Sequence, residues 1–368
     1  MNVPPQVLAD IAGIPSPVLA ALVTALLGGC AAVIAILLTG RAEALKLQSQ
    51  YRHKERTQLR ELIGDFHGRM LEAAVDWDRR MWQLYADDGR WLRKDGQDLD
   101  AAEYIRGEQY LFRSYVFRFL SLCAIARKFE TKALYIDAQK DIARKPDLDF
   151  YKYAKALLWS MTHADLTPQD GMPGRDHFPN DQFRPLLDLC YRQNGDGLPT
   201  MIAGDDDDVI FDFLRFGAFA TRVTDLPDDA TQEWHDMRKT FDYFNRLKRD
   251  DFDTGGRPRY RWDRLVVLHL LTIGFIDTFG YEWQRYDDER IETAVSQLQY
   301  ACVADVYGRS IRRLGLDDQR EMQVIERLLR KRTSQPSRCD GCPSRRQAMR
   351  DGGSFPRPCP GPHVDTDG

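Results

Sequence analysis

The alternation of apolar and polar positions separates one charge-free run from a long series of amphipathic stripes. Residues 18–39, VLAALVTALLGGCAAVIAILLT, carry no charge and lie between Pro17 and the Gly40-Arg41 pair. As a helix, an apolar run of about 18 residues or more spans roughly 30 Å, the thickness of a bilayer's hydrocarbon core. The pattern predicts a single transmembrane helix, with the lipid bilayer as its first partner. Ala21, Ala25 and Gly29, or Gly28 and Ala32, set small residues four apart, a spacing that lets two membrane helices approach closely. A homo-oligomer through the transmembrane and juxtamembrane helix is therefore an expected assembly.

Beyond Arg41 nothing breaks the helical pattern until Asp87-Asp88-Gly89 except the isolated Gly64 and Gly68. Leu59, Leu62, Phe66, Met70, Ala73, Trp77, Met81 and Leu84 recur at steps of three and four, the stripe of a bundle or coiled-coil helix. Trp and Met in that stripe suit an irregular bundle better than a regular dimeric zipper. An acidic loop at 95–100 precedes a second long helix over 101–143, whose first half is rich in aromatics: Tyr104, Tyr110, Phe112, Tyr115, Phe117 and Phe119. Arg106, Arg113 and Arg118 are interleaved with them, a mixture that can stack single-stranded nucleic acid. Here the rings sit at helical spacing and lead into Leu120, Leu122, Ile125 and Phe129, so a buried bundle face is expected instead.

Lys145-Pro146-Asp147 is expected to stop that helix, and 150–163 to form another. Residues 165–208 hold five prolines, Pro168, Pro173, Pro179, Pro185 and Pro199, around one short helix near 181–192. So long a loop is ordinarily functional or mobile. Asp205 to Asp208 stand before an apolar run, where acids favour a helix N-terminus. Further helices are expected over 206–223, 231–250, 260–284, 287–314 and 317–331, with 265–276 the most apolar part outside the first run and so the central core helix. Proline-free runs without strand alternation define an all-α fold, and no internal repeat is present. The expected organisation is a short extracytoplasmic segment (1–17), a transmembrane helix (18–39), a cytoplasmic helical bundle (40–332) and a disordered tail (333–368).

Charge sets the orientation. Arg41, Lys46, Arg52, Lys54, Arg56 and Arg60 follow the apolar run against Glu43 and Glu55, whereas only Asp10 precedes it. The positive-inside tendency puts the N-terminus outside and the C-terminus in the cytoplasm. A cleaved signal would need a basic segment ahead of a shorter apolar core. Leu27-Gly28-Gly29-Cys30 has the look of a lipobox but shares that lack, and the apolar run continues past Cys30. The net charge of −4 gives no global reason for binding nucleic acid, which is not an expected partner. The excess of Arg over Lys points to a GC-rich bacterial genome.

The seven cysteines are scattered: Cys30 in the apolar run, Cys123, Cys190 and Cys302 in helical contexts, and Cys339, Cys342 and Cys359 in the tail. They form no disulfide framework and the isolated ones read as small core residues. Cys339, Cys342, Cys359 and His363 have a permitted Cys₃His zinc spacing. The tail is poor in the apolar residues that back such a site, so disorder without metal is the expectation. The sequence holds no P-loop, Rossmann glycine pattern, Gly-x-Ser-x-Gly or His-Glu-x-x-His. His235-Asp236, with His163 and His177 before it and Asp277 and Asp288 after it, is the one set that fits a helical metal-dependent phosphohydrolase of His-Asp type. The bland alternative is a polar flank beside the core stripe Trp234, Met237, Phe241 and Phe244.

No catalytic, cofactor or metal residues are assigned. The expected function is interaction, as a sensor, scaffold or effector at the membrane with membrane or cytoplasmic protein partners, in bacterial stress or phage defence. The tethered phosphohydrolase is the alternative.

Overall fold

The computed structural model describes residues 16–87, 110–133, 145–163, 176–178, 214–224, 232–245, 247–249 and 259–334, with positions 183, 186, 187 and 190. Among them all regular structure is helical. The acidic loop 95–100, most of the 165–208 segment, Asp205 to Asp208, and the tail with Cys339, Cys342, Cys359 and His363 lie outside the described residues. The chain divides into two compact units, 1–58 and 59–368.

Helix α1 runs Ser16–Ala86, uninterrupted as its lack of breakers predicts. A Cβ at Gly64 or Gly68 would meet nothing within 4 Å, so both stand on an open face. In the first unit the described side chains before Glu55 are exposed on every side of the helix: Thr24 to Gly29 and Ile36 to Gln50 are exposed without exception, while Glu55 is buried. Among the described residues no helix is long and apolar enough to cross a membrane. Residues 18–39 are helical in backbone, but side chains 18–20, 22, 23, 30, 31 and 33–35 within them lie outside the described residues. The spanning assignment of 18–39 is thus left without structural support.

The second unit is a helical bundle. From Leu59 onward the stripe of α1 is buried, with Phe66, Met70, Trp77, Met81 and Leu84 fully enclosed. This apolar face is used within the bundle, which removes it as the seam of a dimeric stalk. Helix α2 (Tyr110–Ala133) lies against it, pairing Phe129 with Phe66, and Tyr115 and Phe119 with Trp77. The aromatic stretch is a core face, since Phe112, Tyr115 and Phe119 are buried. Each such side chain contributes about 1.5–3 kcal/mol through burial. Helices α3 (Lys145–Thr162), α4 (Phe216–Thr224) and α5 (Gln232–Phe244) pack on α2. The stripe of α5 buries Met237, Phe241 and Phe244, as its spacing predicts.

At the centre is α6 (Arg261–Phe279), buried without a break from Arg261 to Asp277. It packs on α3, on α7 (Asp288–Ser296) and on α9 (Arg320–Ser334), while α8 (Ala301–Leu314) pairs with α9. A Cβ on Gly274 would stand 2.7 Å from Met322 Sδ and 2.9 Å from Tyr153 Oη, so this glycine lets α3 and α9 close on α6.

Element ends differ from the sequence pattern in several places: the helix expected over 260–284 ends at Phe279, the one expected from 206 starts at Phe216, and three further differences have a physical reason in the contacts. Lys145-Pro146-Asp147 opens α3, five residues ahead of the expected start at 150; proline fits a first turn, where its missing N–H has no intrahelical partner to lose, and residues 134–144 before it lie outside the described residues. Helix α5 ends at Phe244 instead of 250 because Arg261 Nη1 takes the carbonyls of Asp242, Tyr243 and Asn245, at 2.9, 2.7 and 3.3 Å. The single helix expected over 287–314 is two. Asp263 accepts from Gln299 N at 2.8 Å and Tyr300 N at 2.9 Å, so a distant carboxylate caps α8 and breaks the run.

Candidate functional site

The polar side chains of the bundle gather along α6. Its first turn, Arg261-Trp262-Asp263-Arg264, is buried and reaches the ends of four neighbouring helices. Arg261 holds the carbonyl end of α5. Arg264 donates from Nη1 to Ser160 O at 3.0 Å and from Nη2 to His163 O at 2.9 Å, at the carbonyl end of α3. Trp262 Nε1 donates to Gln297 O beyond α7 at 3.0 Å. Cations meet helix C-termini and the Asp263 anion meets a helix N-terminus, the match that helix dipoles favour. Burial lowers the Arg264 guanidinium to about 10, still charged at neutral pH.

One turn further along, the imidazole of His269, fully enclosed, bridges α6 to α1. Its Nε2 lies 2.8 Å from Asp78 Oδ1 and its Nδ1 2.9 Å from Tyr85 Oη. With Asp78 ionised, Nε2 carries the proton and Nδ1 accepts from the Tyr85 hydroxyl. Trp82 Nε1 also donates to Asp78 Oδ1, at 2.9 Å. Burial first, and the Asp78 carboxylate after it, pushes the Tyr286 phenol upward; burial does the same to Tyr85. Arg290 lies 4.9 Å over both the Trp82 and Tyr286 rings and covers the network from α7. A carboxylate, an imidazole and a hydroxyl in this order resemble a catalytic relay. Here the hydroxyl is a phenol that burial keeps protonated, and both imidazole nitrogens are occupied inside the core. The trio fastens α1 to α6.

At the far end of α6, Asp277 faces Glu321 of α9, and both are buried. Asp277 Oδ1 accepts from Tyr286 N at 3.3 Å. Burial, followed by the hydrogen bond to Asp277, raises the Glu321 carboxyl to about 7, so it holds a proton between the two acids in weakly acidic solution.

The residues of the phosphohydrolase pattern are dispersed. His235 is exposed on α5, and the side chain of Asp236 lies outside the described residues. His163 and His177 lie near one another, with burial and then the Arg264 charge lowering His177. Asp277 is committed to Tyr286 and Glu321, while Asp288 at the start of α7 pairs with Arg327 at 3.1 Å. Among the described residues no three His, Cys, Asp or Glu side chains are grouped to hold a metal ion. Cys123 and Cys190 are buried and Cys302 is half-buried, and burial raises the Cys123 thiol. The Asp78, Tyr85 and His269 trio and the Arg-Trp-Asp-Arg turn escaped the sequence reading. The only signal was charge at the head of the most apolar helix. Compared with known protein families, curated proteins and solved structures, the chain matches none.

Proposed function

We propose that this chain is a single-pass membrane protein, anchored by 18–39 with its N-terminus out, whose cytoplasmic helical bundle acts by interaction as a sensor, scaffold or effector. The observation that carries the reading is the exposure of the first unit. Leu26, Leu27, Ile36, Leu37 and Leu38 are between 60% and 71% exposed. Thr24 to Gly29 is more than one helical turn, so the exposure goes all round the helix. A helix that is apolar on all sides belongs in a protein core or in lipid. The basic residues from Arg41 to Arg60 support the orientation and suit anionic headgroups on the cytoplasmic side. The small residues at Ala21, Ala25 and Gly29 support self-association there.

Interaction is favoured over turnover because the groups that most resemble a relay are taken up in structural contacts: Asp78 with His269, His269 with Tyr85, Asp263 with the amides at the start of α8. A bacterial stress or phage-defence setting accords with an Arg-rich, membrane-tethered helical chain. Reporter fusions at Met1 and Gly368, combined with alkaline extraction of membranes, test the reading. The expected outcome is a protein retained in the pellet with a cytoplasmic C-terminal reporter; release by alkali, or a periplasmic C-terminal signal, overturns it.

A further inference from the structure

The groove between α1 and α2 holds two arginines in an arrangement that their own contacts leave incomplete. Arg80 of α1 donates from Nη2 to Ser114 Oγ at 3.0 Å and from Nη1 to Gln83 Oε1 at 2.8 Å. Arg118 of α2 donates from Nη1 to the same Ser114 Oγ and to Ser114 O. Both guanidiniums reach one buried hydroxyl oxygen, so their facing nitrogens are no more than two hydrogen-bond lengths apart. The acid in reach is Asp76, 3.5 Å from Arg118 Nε and also 4.0 Å from Arg79 Nη1, with 41% of its side chain exposed. Arg80 makes no ion pair among the described residues. Two cations thus share a half-buried groove with less than one carboxylate's worth of compensation, and Arg80 is held in its charged form less tightly for it, through burial and then through Arg118.

Helix pairing alone does not call for this. One arginine would satisfy Ser114, and a second cation at the same oxygen adds repulsion. The cost is recovered when an anion sits between the forks. A guanidinium presents five N–H donors in one plane, and those that remain, Arg80 Nε and Arg118 Nη2 among them, can meet phosphate oxygens in pairs. Tyr110, exposed on α2 one turn before Ser114, is close enough to act electrostatically on Arg80, and its ring is nearly at a right angle to that of Phe216. It supplies a flat wall beside the charge.

We propose that Arg80 and Arg118, converging on Ser114, form a binding site for a phosphate monoester group. The phosphoryl oxygens lie between the two guanidiniums and the organic part lies against Tyr110. The site goes beyond the interaction role proposed above and does not depend on the membrane anchor. The same phosphomonoester chemistry is offered by a soluble metabolite and by a phosphatidic acid headgroup.

The test uses the full-length protein in detergent, with thermal unfolding followed against inorganic phosphate, adenosine monophosphate and potassium chloride at matched ionic strength. The wild type is expected to gain several degrees saturably with adenosine monophosphate and less with phosphate, and to gain nothing with chloride. Arg80→Gln and Arg118→Gln should each weaken the apparent affinity tenfold or more, while the distant exposed Arg313→Gln leaves it unchanged. Without ligand, Arg80→Gln should melt no lower than the wild type, because it relieves repulsion; a role confined to pinning the helices predicts a lower melting point. Flotation with phosphatidylcholine vesicles, with and without phosphatidic acid, separates the sources: Arg80-dependent capture by phosphatidic acid assigns the lipid, and its absence alongside the nucleotide shift assigns a soluble ligand. The proposal is overturned if no anion-dependent shift exceeds that of chloride, or if both glutamine variants keep the wild-type response. Should one variant fail to fold, the other decides.

Discussion

Helix α1 before Gln58 and helix α6 are both rich in leucine, isoleucine and valine, yet they stand at opposite ends of the exposure scale. Leu26, Leu27, Ile36, Leu37 and Leu38 are largely exposed, whereas every residue from Arg261 to Asp277 is buried. The described side chains of the charge-free stretch are exposed, and the stretch carrying Arg261, Asp263, Arg264, His269 and Asp277 is the core. Buried charge is tolerated in α6 because each group has a partner of opposite polarity at a helix end or across the bundle. The same two facts explain why hydropathy alone ranks these helices in the wrong order for burial. An unbroken apolar helix offers nothing for neighbouring helix ends to bind, while α6 organises its neighbours through its polar groups.

The largest expected effect comes from breaking that organisation. Asp263→Ala removes the carboxylate that accepts from both Gln299 N and Tyr300 N, leaving the start of α8 uncapped in the core. Two hydrogen bonds to a charged acceptor are worth about 3 kcal/mol together. Chemical denaturation of the bundle should show a loss of that size, with Asp263→Asn retaining part of it. A loss below about 1 kcal/mol would mean that packing, rather than charge at the head of α6, sets the helix ends.

The helical class, the stripe of α1 from Leu59 to Leu84, the buried aromatic face of α2 and the central place of 265–276 were legible in the sequence. All four rest on periodicity within one segment. What was not legible depends on pairs far apart in the chain: Asp78 with His269, Arg264 with Ser160, Asp263 with Tyr300. Local patterns carry no record of such partners, which is why 287–314 read as one helix and Arg261's capping of α5 went unseen. His235-Asp236, the most visible chemical motif, has its histidine on an exposed face of α5. A dipeptide specifies neighbours in sequence and nothing about which helix faces it.

A smaller effect sharpens the comparison at the other end of α6. The folded Glu321 carboxyl holds its proton up to about 7, above the ordinary 4.5, because burial and Asp277 disfavour a second negative charge. The folded state therefore binds more protons than the unfolded state between these values. This contribution to stability is complete below 4.5 and is lost as pH rises through about 7. The groups acting on it are Asp277 of α6, Tyr153 of α3 and the Arg320 guanidinium, 3.9 Å from Glu321 Oε1. Melting temperatures measured from pH 5 to pH 8 should fall for the wild type, and the fall should flatten in Glu321→Gln, which keeps a donor for Asp277 without a titrating proton. An unchanged slope in that variant would place the pH dependence elsewhere.

The smallest effect on the bundle is expected from the most apolar site outside it. Leu37 is 62% exposed, and the core of the second unit is built without it. Substituting an exposed residue changes stability by less than about 0.5 kcal/mol. Leu37→Asp should therefore leave the unfolding of the bundle where it is in the wild type. If 18–39 lies in lipid, the same change introduces a charge near the end of the span, at a cost of up to about 3 kcal/mol. Membrane retention should then fall while the bundle's melting temperature holds, a separation that no core substitution in α6 can produce. Were Leu37→Asp to lower the melting temperature as far as Asp263→Ala does, the first unit would be packed against protein, and the contrast between the two helices would be lost.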